Sequence, residues 1–315
     1  MFRNGNNKAK KPYVLRTPDG AVVAGSLTFA YKPPKTGDWI EVMNEAKYYN
    51  NPGIYDARVK AIYPNAIYAQ DFGLHVKRFL KKIGYPASNT LMSLSVCADD
   101  VNAPNFTNVD NLGQHPLSLN EFLGPFMSGG LAGYPHTGIT GLGAYASHAT
   151  DTGNLFVMNM PHIGISSNGT VGSIIRRGQT GQNTSCGAVL AAVTWVLANG
   201  SAPTFPSVAF PVNDYQQFLL TDILFPTKAA LAALTTTAAR MIAATETIRT
   251  AGETFLTGVT GIQAIGGLNK DVLFCSGTFI NVDDSYLPYI SINSFKKWTV
   301  ADGWVDILAD FNSGI

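Results

Sequence analysis

Residues 90–102 read TLMSLSVCADDVN, a short apolar run that stops at Cys97 and gives way to acidic and polar residues. Consecutive apolar positions over so few residues are the pattern of a strand buried on both faces of an α/β sheet, and the change of composition marks where it ends in a loop. On its N-terminal side, residues 55–85 read as one or two amphipathic helices that end at Gly84, with the Lys and Arg residues on a solvated face. On its C-terminal side, residues 119–149 are rich in glycine, which allows close backbone approach and suits a loop system over a pocket.

Further along, NLFVMNMPHIGIS (154–166) and TVGSIIRRG (170–178) are strand-like and joined by Asn168-Gly169, a strong hairpin signal. His162 therefore sits inside or at the end of a strand. After a polar stretch, Ser185 is the expected N-cap of a helix from about Gly187 to Asn199, with Cys186 in its first turn, where the helix field favours a thiolate. A long helical region is expected from Asp214 to about Thr250, and DVLFCSGTFINVD (271–283) and DSYLPYISINSF (284–295) close the chain as strands. Helices and strands alternate, which predicts one α/β domain over 55–315, preceded by an arm and helical extension over 1–54.

With 46% hydrophobic residues in 315, the chain can bury a large core. Lys and Arg number 22 against 21 Asp and Glu, so a net charge of +1 gives no electrostatic case for nucleic acid or an anionic membrane surface. No apolar run reaches the roughly 18–20 residues of a membrane span. The N-terminus lacks a signal core and is a poor transit peptide. Cys97, Cys186 and Cys275 are odd in number and widely spaced, which argues against a disulfide framework and fits a reducing compartment. The four N-x-S/T triplets then carry no weight. Cys275 has apolar and small neighbours and reads as a core residue.

Cys97, His162 and Cys186, spaced 65 and 24 residues apart, are a candidate Cys2His set for zinc that would leave one coordination position open. No local C-x-x-C or H-x-x-H pair is present, and on spacing alone the reading of all three as packing residues stays open. Two other residues are candidates beside them. His136 would line the pocket or shuttle a proton, or anchor a glycine-rich loop. Ser95, two before Cys97 on the same strand face, would border the pocket. His115 and His148 lie in polar turns and read as exposed, and Asp100 would point away from Asp99.

LSVCADDVN (94–102), residues 129–166, GSIIRRGQ (172–179) and SCGA (185–188), in this order and spacing, resemble the algal limiting-CO2-inducible B/C proteins, a family related in fold to the β-carbonic anhydrases. The likeness is densest from Ser93 to Leu197. It implies a β-carbonic-anhydrase-like α/β fold with a mostly parallel sheet flanked by helices, and a zinc ion on Cys97, His162 and Cys186. It also implies an aspartate, Asp99, that an arginine keeps off the metal so that water can bind. The usual C-x-D-x-R motif places Val101 where that arginine would stand, so it must come from elsewhere. Arg176 and Arg177 are the replacements, and we favour Arg177 because it adjoins the loop leading to Cys186.

The activity so implied is reversible hydration of CO2 to bicarbonate by a zinc-bound hydroxide, in an algal CO2-concentrating mechanism. The setting would be the chloroplast stroma or pyrenoid region, and the assembly a homodimer or higher homo-oligomer, with a family paralogue as a further partner. Two alternatives remain: a catalytically weak or inactive zinc-binding partner of a CO2-concentrating assembly, and a metal-free thiol hydrolase with Cys186 as nucleophile and His162 as base.

Overall fold

A computed structural model describes residues 53–97, 99–102, 122–127, 130–135, 139–146, 148, 153–176, 178–258, 270–283 and 286–313. All of them belong to one compact unit, Lys47–Ile315. The expected arm over 1–54 lies outside the described residues except for its last two.

Two helices, α1 (Gly53–Ile62) and α2 (Ala69–Lys82), flank the two-residue strand β1 (Ile67–Tyr68), and Gly84 follows α2 with φ +94°. Then come β2 (Thr90–Val96), β3 (Leu123–Met127), α3 (Ile139–Ala146), β4 (Asn154–Met160), β5 (His162–Gly164), β6 (Ser173–Ile175), β7 (Gln182–Thr184) and α4 (Gly187–Ala198). The chain continues through α5 (Tyr215–Leu224), α6 (Lys228–Ala233), α7 (Thr237–Thr257), β8 (Val272–Asn281), β9 (Tyr289–Thr299), β10 (Gly303–Asp306) and α8 (Leu308–Asn312).

An eight-stranded sheet runs in the order β1-β9-β8-β4-β2-β3, with β10 added to β9 and β5 to β8. The strands β3, β2, β4 and β8 are parallel, and β9 closes antiparallel on β8. All residues of β2 and β8 are buried, because helices cover both faces and leave no side for polar alternation. Met92, Leu94 and Val96 point to one face, where Phe72, Val76, Phe79 and Leu80 of α2 and Phe311 of α8 meet them. Leu91, Leu155, Val157, Val272 and Phe274 point to the other, against Leu256 of α7. Cys275 lies in the first of these cores with no exposed surface, as its neighbours in sequence imply.

A buried polar tie fixes α7 to the second face. The Asn159 amide donates to Arg249 O at 2.9 Å, and the Arg249 guanidinium donates to Ser276 Oγ at 3.1 Å and to Glu253 at 2.7 Å.

The helical region after Asp214 is not continuous. Pro226 removes a backbone donor, the chain passes through a tight turn at Phe225–Thr227, and α7 starts afresh where Thr236 Oγ1 accepts from the Ala239 amide at 3.1 Å. The Asn168-Gly169 turn forms: Gly169 has φ +86° and donates to Ser166 O at 2.9 Å, and Ile165 bridges Val171 antiparallel. Beyond that bridge, β6 pairs with β7 in a separate two-stranded sheet. Among the described residues no helix is long and apolar enough to cross a membrane.

Candidate metal centre

The parallel strands deliver their C-terminal ends to one edge of the sheet, where open α/β sheets hold their ligands. Cys97 is the first residue past β2 and is 1% exposed. In the neighbouring strand Pro161 ends β4. His162 then begins β5, in register with Phe279 of β8 and fully buried. The third corner comes from across the site. Cys186, and not the expected Ser185, is the N-cap of α4. Ser185 is buried against Gly164, so the cap falls one residue later than the usual capping preference implies.

Cys97 Sγ and Cys186 Sγ are 3.7 Å apart, and with a ring nitrogen of His162 the ligand atoms all lie within 4.8 Å of one another. Two thiolates on a tetrahedral zinc, each at about 2.3 Å, would be about 3.8 Å apart. His162 Nε2 is buried and has no hydrogen-bond partner among the described residues, while Nδ1 is occupied by Asn281 Oδ1 at 2.7 Å. A buried, unpartnered ring nitrogen beside two thiols is a donor set suited to zinc.

The electrostatics point the same way. The Cys97 thiol donates to Cys186, which holds Cys186 far below the usual thiol range despite its burial, and the charge of His162 and the Val189 amide add to this. That same bond and burial push Cys97 up. Burial lowers the His162 pKa, but the charge of Cys186 outweighs it and the net shift is upward. One proton shared by two thiols beside an imidazole is what a divalent cation would displace.

Backbone groups fix Cys97 as well. The Ala132 amide donates to Cys97 Sγ at 3.0 Å from a short turn, Leu131–Gly133. Ser95 donates to Gly133 O at 2.8 Å, so Ser95 anchors this turn with its hydroxyl. Gly133 has φ +72°, and a Cβ on it would stand 3.0 Å from Cys97 N and Ser95 O. The turn can approach the strand ends only because Gly133 is glycine.

Asp99 is held by Arg176 through both oxygens, Nη1 to Oδ1 at 2.6 Å and Nη2 to Oδ2 at 3.0 Å. Arg176 Nη2 also donates to Thr184 O on β7 at 2.7 Å. Asp99 Oδ2 is 3.7 Å from His162 Nε2, but the carboxylate does not join the cluster formed by the other three. The arginine seen on Asp99 is Arg176, the other of the two replacements, while the favoured Arg177 lies outside the described residues. Side chains alternate along β6, so Arg176 continues the inward face of buried Ile174. His136 and His115 also lie outside the described residues, and His148 is exposed.

Three contributors were not singled out from sequence: the Ala132 amide, Asn281 and Asn102. Asn281 ends a strand that is buried along its whole length, and an amide at a buried strand end is the signal that could have found it.

The family model of limiting CO2-inducible proteins B/C beta carbonic anhydrases matches residues 66–299. Among solved structures, PtLCIB4, a homolog of the limiting CO2-inducible protein LCIB, is 26% identical over 79% of this chain and 98% of that chain, with a TM-score of 0.64. A histidine-to-alanine mutant of PtLCIB4 is 26% identical over 80% and 97%, with a TM-score of 0.66. LCIB itself shares the fold at 20% identity over 78% and 96%, with a TM-score of 0.55. No curated protein matches the chain. With the matched segment running from before β1 to the end of β9 and enclosing every ligand of the centre, the chain belongs to the limiting CO2-inducible B/C family of β-carbonic-anhydrase-like proteins.

Proposed function

We propose that this protein is a carbonic anhydrase that interconverts CO2 and bicarbonate with a zinc ion held by Cys97, His162 and Cys186. The observation that carries the reading is the buried Cys2His cluster with Asp99 drawn aside by Arg176. Zinc bound there supplies a Lewis acid that brings the pKa of water toward about 7.

The chain's own residues supply the rest. Two thiolates and one neutral imidazole balance the charge of a divalent cation while leaving room for substrate. Arg176 fixes the Asp99 carboxylate by two charge-assisted bonds, so it is oriented before any reactant arrives. Asp99 Oδ2 can accept a hydrogen bond from the reacting water and so direct a lone pair, instead of a proton, toward CO2. Apolar Ala132, Ile163, Ile165 and Val189 pack around the cysteines and keep the site dry.

Arg176 also bears on the alternatives. The arginine missing from the position of Val101 is supplied from the end of β6, which weighs against an inactive centre closed by Asp99. A metal-free thiol hydrolase would leave Cys97, 3.7 Å from Cys186, with no role. Family membership supports the wider proposal of a homodimer or larger homo-oligomer, with a family paralogue as a further partner, working in an algal CO2-concentrating mechanism in the chloroplast stroma or pyrenoid region.

The test is metal analysis of the purified protein together with stopped-flow CO2 hydration. Zinc is expected in the wild type, with both metal and activity lost in His162→Ala. A folded wild type that takes up no zinc refutes the proposal.

A further inference from the structure

His162 Nδ1 faces Asn281 Oδ1 at 2.7 Å. The other end of the same amide, Asn281 Nδ2, donates to Asn102 Oδ1 at 3.1 Å, and Asn102 Nδ2 donates to the backbone carbonyl of Cys97 at 3.3 Å. Two asparagines thus join one cluster residue's imidazole to the other's main chain, across two strand ends and the turn that follows Asp99. Both are buried, at 4% and 6% exposure.

The polarity of this chain is fixed from one end. A backbone carbonyl only accepts, so Asn102 must turn its amide nitrogen toward Cys97. Its oxygen then faces Asn281, which must answer with its own nitrogen, and Asn281 Oδ1 is left to face His162. An oxygen there requires a proton on Nδ1 and, in the neutral imidazole, leaves the lone pair on Nε2, the buried nitrogen that has no partner among the described residues. A single flipped amide anywhere along the chain would set two donors or two acceptors face to face in a buried site, where an unsatisfied polar group is costly.

We propose that Asn102 and Asn281 are positioning residues whose hydrogen-bond relay, anchored on the Cys97 carbonyl, holds His162 with its proton on Nδ1 and its lone pair on Nε2 aimed between Cys97 and Cys186. The inference rests on the zinc reading for its consequence but not for its geometry. Among the described residues Asn102 makes no hydrogen bond to His162 or to a ligand atom of the cluster, yet its removal frees the Asn281 amide to rotate and present a donor to Nδ1. That favours the tautomer that points a proton at the cation's place.

The experiment uses the full chain and zinc alone. Zinc affinity is measured by competition with a chromophoric chelator in the wild type, Asn102→Ala, Asn281→Leu and Asn281→Asp, with circular dichroism as the check of folding. Ligand-orienting partners of this kind typically change metal affinity by about 10–100-fold. A fall of at least about tenfold is expected for Asn102→Ala and Asn281→Leu, with Asn281→Asp nearer the wild type because it keeps an acceptor opposite Nδ1. A merely structural role would not separate Asp from Leu at this position.

The second readout is 15N NMR of histidine-labelled wild type, in which the His162 signal, identified by its loss in His162→Ala, should show a proton on Nδ1 with or without zinc. A folded Asn102→Ala that binds zinc as tightly as the wild type, an Asn281→Asp as weak as Asn281→Leu, or a bare Nδ1 in the wild type overturns the relay. If the wild type binds no zinc, the proposed function fails, and the relay is decided by the Nδ1 proton alone.

Discussion

Replacing Arg176 by glutamine separates the roles of the metal ligands from that of the carboxylate beside them. The guanidinium makes two bonds to Asp99, at 2.6 and 3.0 Å, and one to Thr184 O at 2.7 Å, while the two side chains are only 14% and 11% exposed. Glutamine is shorter and uncharged, and at most one of these bonds survives. Breaking a buried ion pair from one side costs about 3–5 kcal/mol. A tenth of each side chain still meets water, and the Val101 amide still reaches Asp99 Oδ1 at 3.3 Å, which puts the loss at the low end, about 3 kcal/mol. For a unit of this size, that lowers Tm by roughly 6–12 °C.

The functional consequence is larger than the structural one. Cys97, His162 and Cys186 do not depend on Arg176 for their positions, so zinc content should hold. Asp99, no longer held, can turn toward the cluster and occupy the place that water needs. If the same ~3 kcal/mol of orientation is lost from the transition state, CO2 hydration falls about a hundredfold. Stopped-flow hydration with a pH indicator reads the rate, and metal analysis of the same sample reads the zinc. A folded, zinc-loaded Arg176→Gln that hydrates CO2 at the wild-type rate would refute the reasoning. In a double-mutant cycle, Asp99→Asn should remove most of the effect of Arg176→Gln, since the arginine acts through that carboxylate.

Gly133→Ala should destabilise the protein by at least about 2 kcal/mol, because a left-handed φ costs an alanine about 1–2 kcal/mol and its Cβ meets three backbone atoms at 3.0–3.1 Å that cannot move aside. As the turn lifts, the Ala132 amide leaves Cys97, so chelator competition should report weaker zinc binding along with the lower Tm. An acid-linked effect is expected at Asp283, which accepts from Tyr55 Oη and from the Ser167 and Ile175 amides. Burial works against its charge, but these bonds prevail and hold its pKa below the usual carboxylate value. A depressed folded pKa adds stability above the unfolded pKa of about 4 that is lost as pH falls through the folded value. Tyr55→Phe should therefore cost about 1 kcal/mol at pH 7 in urea unfolding and progressively less below about pH 4. An equal cost at pH 7 and pH 3 contradicts this linkage.

What the sequence conveyed best was the set of elements whose signal is local. The apolar runs of β2 and β8 are long enough, and buried enough, to announce themselves, and a cysteine at the end of one of them marks a strand end. The arginine was harder to place. Choosing Arg176 over Arg177 requires the register of β6, a three-residue strand, and its partner β7 is the polar triplet Gln182–Thr184, which carries no apolar pattern at all. The helix α4 starts at Gly187 as expected, but its N-cap misled for a related reason. Capping preference favours a serine, but Ser185 is packed against Gly164, a contact between segments about twenty residues apart that no local rule contains. Asn281 shows in the sequence only as a polar strand end, and Asn102 not at all, because their meaning lies in each other, 179 positions apart.

The topology explains why such distant residues meet. In the order β8-β4-β2, three neighbouring parallel strands come from sequence segments far apart, and parallel pairing forces all three to end on the same edge. Cys97, His162 and Asn281 follow from those three ends, so the sheet alone places the imidazole between a thiol on one side and an amide on the other. Cys186 then needs only a helix whose N-terminus faces that edge. Neither the large sheet nor that helix builds Arg176, which is carried at the end of the small β6–β7 sheet, whose Ile175 amide is tied to Asp283 just past the end of β8. The Cys2His cluster is therefore fixed by the core of the fold. Arg176, which on the proposed reading keeps the centre open, is instead held by a peripheral hairpin.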